Sequence, residues 1–169
     1  MNTIEHAMAE TVSSIWASIL GKDVFPVLDG DHDDAHEATF VGCIHVTGPE
    51  VGVVMLRCPA GLATELASAM FSLPCADVGV SDAQDALGEL TNIMGGNFKA
   101  MLSDGHHLSL PTVVEGNDFR TKFIGTRLVA RVGFECDGRH VVASFYRDGA
   151  LAGGAGDTGV SRVTAVHGM

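Results

Sequence analysis

Between residues 3 and 20 the apolar side chains fall at Ile4, Met8, Val12, Ile15, Trp16, Ile19 and Leu20. Their spacing has the period of about 3.6 that marks an amphipathic helix, and Gly21 is a natural stop. Val24–Leu28 is a short apolar run interrupted by Pro26, whose missing N–H suits only a sheet edge. Two strand-like runs follow, Thr39–Val46 and Val51–Cys58, joined by Thr47-Gly48-Pro49-Glu50 in the manner of a hairpin. Pro59 ends the second run and opens a helix through Leu62, Leu66, Met70 and Leu73, with Pro74 as its stop. A longer helix is predicted from about Ser81 to Leu102, then a strand over Leu108–Val114. Arg127–Glu135 and Arg139–Arg147 read as a second hairpin turned by Asp137-Gly138.

Hairpins separated by a helical block predict an α+β fold: a single mixed, mostly antiparallel sheet of about six strands covered by about three helices. Residues 1–148 are expected to form one domain. Residues 149–169 form a Gly/Ala-rich, aperiodic tail that is expected to pack weakly.

Composition narrows the function. With Asp+Glu 21 against Lys+Arg 10, the formal net charge is −11, which repels phosphate backbones and argues against a nucleic-acid partner. No apolar run approaches the roughly 20 residues needed to span a bilayer, and there is no basic amphipathic stretch for a membrane surface. MNTIEHAMAE has no positive region ahead of an apolar one, so no signal peptide is expected and the location expected is cytoplasmic. Cys43, Cys58, Cys75 and Cys136 are scattered with no C-x-x-C pair, which points to free thiols rather than a zinc or redox site.

The long helix carries the most information. Advancing about 100° per residue from Asp85, Glu89 falls at about 40°, Asn92 at about −20°, Gly96 at about 20° and Lys99 at about −40°. Ala86, Leu90, Ile93, Met94, Phe98 and Met101 centre on the opposite side, at about 150°, and are expected to be buried. Gly88 and Gly95 flank the polar line. Each of these helical glycines costs about 0.8–1 kcal/mol relative to alanine, so something should offset them. They either admit another element of this chain or leave a smooth surface for another protein's backbone. Spacing alone favours the first.

Other candidates carry less. Asp31, His32, Asp33, Asp34 and His36 could gather a cation, but the loop lacks the glycine and terminal glutamate of a calcium loop, so no metal site is expected. His106 and His107 are adjacent and should point different ways. Neither Ser103 nor Ser109 sits in a nucleophile elbow.

The stretch Asp85-Ala-Leu-Gly-Glu89-Leu-Thr-Asn92-Ile-Met-Gly-Gly96-Asn97, with Pro111 beyond it, resembles the signature helix of the CheC/CheX/FliY phosphatase family: an acid or serine, Glu, Asn, and a later proline. The resemblance covers roughly residues 1–148 and is most specific over 85–116. It implies a CheX-type phosphatase that removes the phosphoryl group from the aspartate of a CheY-like receiver domain. By that resemblance Asn92 positions the attacking water and Glu89 pairs with the receiver's active-site lysine. Asp85, Gly88, Gly96 and Lys99 would contact the partner. The protein would need no cofactor of its own, the Mg2+ ion being the receiver's. A single centre is expected, since Glu10 in the first helix is followed three residues later by Ser13 rather than Asn. The resemblance also implies a homodimer joined through the sheets. The alternative is a non-catalytic adaptor that binds a receiver on the same fold.

Overall fold

The computed structural model describes residues 1–27, 38–117 and 123–149. The first helix, α1 (Thr3–Leu20), begins at a capping box: the Asn2 side chain accepts from the Glu5 N–H at 2.9 Å, while the Asn2 N–H donates to Glu5 Oε2 at 2.8 Å. It ends at Gly21, whose left-handed φ of 61° turns the chain and directs its N–H to Ala17 O. Then come β1 (Phe25–Val27), β2 (Thr39–Thr47) and β3 (Gly52–Pro59). The second helix, α2 (Ala60–Phe71), stops three residues short of Pro74 as Ser72 enters the left-handed region at φ 55°. A 3-10 turn, Cys75–Asp77, leads into α3 (Val80–Ala100), where the Asp82 carboxylate accepts the Gly79 N–H at 2.8 Å. The chain closes with β4 (His107–Leu108), β5 (Thr112–Gly116), β6 (Thr126–Cys136) and β7 (Arg139–Asp148).

The sheet runs in the order β1-β6-β7-β3-β2-β4, with β5 also pairing β2. Every pairing among the described residues is antiparallel. The α+β fold is therefore as expected, with seven strands and no parallel pair among the described residues. Pro26 lies in β1 at the sheet edge, where its missing donor does no harm. The expected strand over Leu108–Val114 is two strands, both against β2. β4 pairs Val46 and Thr47, β5 pairs residues 39–43, and the chain detours between them at Ser109–Pro111.

The three α-helices among the described residues lie on one face of the sheet. α1 packs on β6 and on both other helices, α2 packs on α3, and α3 lies over β2 and β3. One core joins Trp16 from α1, Leu62 and Leu66 from α2, and Leu87, Leu90, Met94 and Phe98 from α3 to the inward residues of the sheet. Alternation along the strands explains the pattern: Phe40, Ile44 and Val46 of β2 and Val54, Leu56 and Cys58 of β3 point at the helices. Phe98 and Phe145 close one end of the contact with ring centroids 4.1 Å apart.

A network of ions clamps the opposite end. Lys22, just after α1, reaches Glu65 of α2 at 3.1 Å and Asp137 in the β6–β7 turn at 2.5 Å, while Arg139 reaches Glu65 at 2.6 Å.

The acidic loop at 29–37, with the histidines and aspartates considered for a cation, lies outside the described residues, as does the tail from residue 150. Among the described residues no group of His, Cys, Asp and Glu could hold a metal ion. Among them, too, no helix is long and apolar enough to cross a membrane.

Candidate functional site

The polar line on α3 is set by what lies beneath it. Thr91 is fully buried, and its hydroxyl donates to Leu87 O at 2.7 Å. It sits against Gly42 of β2 so closely that a Cβ on Gly42 would overlap the Thr91 hydroxyl. One turn on, a Cβ on Gly95 would lie 2.8 Å from Ile44 Cγ2. Two backbones thus approach each other at Gly42 and Gly95, and packing there offsets the glycine penalty.

With Thr91 and Gly95 facing the sheet, Asp85, Glu89, Asn92, Gly96 and Lys99 all emerge on the outer face, exposed. Among the described residues the side chains of Asp85, Glu89, Asn92 and Lys99 make no hydrogen bond or ion pair. Glu89 and Asn92 are separated by about 4.5 Å along the helix axis and about 60° around it, so both can enter one shallow site. Gly96 has open space where a Cβ would be, which leaves room for another backbone beside Asn92.

Three expectations are corrected. Gly88 is buried, not on the partner face: its missing Cβ points toward Val113 Cγ2 and Pro111 Cγ, at 3.6 and 3.8 Å. Pro111, the proline associated with the signature helix, thus packs directly against that helix. Ile93 and Met101, expected in the core, are 36% and 46% exposed. Ile93 lies at about 80° on the helical count, on the border between faces, and Met101 is the C-cap, beyond the last helical turn.

A cleft of about 800 Å³ opens beside Asn92 and Gly96. Its far wall is the segment after α3, with Ser103, Asp104 and His107 lining it and Lys99 at its rim. His107 is exposed, whereas its neighbour His106 is only 2% exposed, so the two diverge as adjacency predicts. Sequence reasoning gave His106 no role. The preceding Gly105, at φ 93°, is the one local sign that the chain turns inward there.

The site is thus a line of two acids and an amide, Asp85, Glu89 and Asn92, presented to solvent by a helix that covers an antiparallel sheet, and the class is an α+β domain. The chain belongs to the chemotaxis phosphatase CheX family, whose model matches residues 40–135. No curated protein sequence matches it significantly. Among solved structures it is similar to the chemotaxis protein CheX from Vibrio vulnificus, at 16% identity and TM-score 0.71 over 87% of this chain and 97% of that one. It is similar to CheX from Desulfovibrio desulfuricans at 17% identity and TM-score 0.69, over 87% of this chain and all of that one. A third similar structure is the CheX–CheY–BeF3–Mg2+ complex from Borrelia burgdorferi, at 16% identity and TM-score 0.63, over 85% and 96% of the two chains. At these identities the likeness is one of fold.

Proposed function

We propose that this protein hydrolyses the aspartyl phosphate of a CheY-like receiver domain. The observation that carries the reading is the exposed, unpaired Glu89–Asn92 pair on a helix held rigidly to the sheet, in a chain of a phosphatase family. The Borrelia burgdorferi relative in complex with CheY, BeF3 and Mg2+ supports the choice of partner, since BeF3 has the geometry of a phosphoryl group.

An acyl phosphate is already reactive, so the work left is to hold a water in line with phosphorus. Asn92 is suited to this, because its amide both accepts from and donates to a water without titrating. Glu89, one turn away, pairs with the receiver's active-site lysine and sets the register of the two proteins. Asp85 and Lys99 contact the partner at either end of the line, and open Gly96 admits its backbone. The Mg2+ ion is the receiver's, and this chain supplies no cofactor. We further propose a cytoplasmic homodimer joined through the sheets, on family resemblance alone.

The test is the lifetime of a phosphorylated, Mg2+-loaded CheY-type receiver from the same organism. A lifetime that shortens in proportion to added protein supports the phosphatase. Binding without any shortening supports the adaptor instead.

A further inference from the structure

Resting on that reading, we propose that the segment Leu102–Leu108 is the second wall of the receiver-binding cleft, and that His106 is the positioning residue that holds it in place. The cleft is continuous with the candidate site, because Asn92 and Gly96 line both. A receiver seated on Asn92 therefore meets this wall.

The wall is built rather than loose. The His106 ring is buried with both nitrogens engaged. Nδ1–H donates to Ser103 O at 2.6 Å, within the wall itself, and Nε2 accepts the Glu50 N–H at 3.2 Å, in the β2–β3 turn. One ring thus closes the wall on itself and ties it to the turn. The turn is shaped to receive it. Gly48 has φ 130°, and a Cβ there would overlap Gly105 O. Pro49 Cδ and Cγ lie 3.7 Å from where a Cβ on Gly105 would be. Glu50 is anchored in turn by its ion pair with Arg147 of β7. The path runs from the sheet, through Glu50 and His106, to the backbone of Ser103 at the lip of the cleft. Both nitrogens of His106 are engaged within the chain, so it acts through the wall it holds, and its effect falls on docking and not on the chemical step.

The experiment compares wild type, H106A, H106Q and S103W in two assays with a CheY-type receiver from the same organism. One measures affinity for the receiver loaded with Mg2+ and BeF3, the other dephosphorylation across receiver concentrations. H106A is expected to weaken affinity and raise KM about tenfold, with kcat at saturation within about twofold of wild type. H106Q keeps a carbonyl acceptor for the Glu50 N–H and is expected to recover most of the affinity. Ser103 is exposed, so S103W leaves the core intact; its indole fills the cleft and is expected to abolish binding even if H106A fails to fold. Unchanged KM in H106A, or full affinity in S103W, overturns this inference while leaving the phosphatase reading intact. Failure of wild type both to bind and to dephosphorylate overturns both.

Discussion

Thr91 of α3 rests on Gly42 of β2 with no room for a β-carbon between them. That contact faces Thr91 into the sheet and thereby faces Asn92, the next residue, outward. The candidate water-positioning amide is therefore aimed by a packing contact about 100° away around its own helix.

The glycines should separate by role. G42A and G95A both drive a β-carbon into a packed neighbour and are expected to destabilise the fold by about 1–3 kcal/mol in urea or thermal unfolding. G96A meets open space and is expected to stabilise the helix by up to about 1 kcal/mol, while weakening receiver dephosphorylation by crowding the surface beside Asn92. A destabilising G96A would contradict its assignment to the surface.

The clamp at Glu65 makes stability depend on pH. Burial pushes the Glu65 carboxyl up, but Arg139 and Lys22 outweigh it and hold it below its ordinary value of 4.5. A carboxylate depressed in the folded state stabilises above its unfolded pKa and loses that contribution as pH falls through the folded one. E65Q is thus expected to be less stable than wild type at pH 7 by about 1 kcal/mol or less, the partners being solvent-screened. The gap should close on acidification below the depressed pKa. A gap constant down to pH 2 would rule out the ion pairs as its origin.

The thiols should react unequally. Burial raises Cys43 to about 11, so little thiolate is present at neutral pH. Cys58 and Cys136 are buried and Cys75 is exposed in the 3-10 turn. Alkylation of the native protein at pH 7.5 is expected to label Cys75 rapidly and the others only on unfolding. Peptide mapping after brief iodoacetamide treatment checks this, and rapid labelling of Cys43 would contradict it.

Much of the fold could be read from the chain because its periodicities are strong. The expected limits of α1 match residue for residue, with Asn2 and Gly21 capping a helix whose apolar stripe meets the core. Both hairpins stand where alternating runs flank turn residues. The single strand expected over Leu108–Val114 divides because Pro111 offers no N–H. There the Ser109 side chain takes the His45 N–H at 3.0 Å in place of a ladder partner.

The site was legible as a line of polar residues but not as a surface. A helical count puts Gly88 and Gly96 near the same line, yet only the fold shows Pro111 and Val113 packed on the first and nothing on the second. His106 was illegible for a related reason. Its partners, Ser103 O and the Glu50 N–H, are backbone groups, one of them 56 residues away, that carry no side-chain signature.

The central claim is that Asn92 positions the hydrolytic water. It is tested most directly by phosphate release from a phosphorylated, Mg2+-loaded CheY-type receiver, with wild type and N92A at saturating receiver. N92A is expected to lose about 10²–10³-fold in kcat, with affinity for the BeF3-loaded receiver within about threefold of wild type. Equal kcat in the two proteins would contradict it.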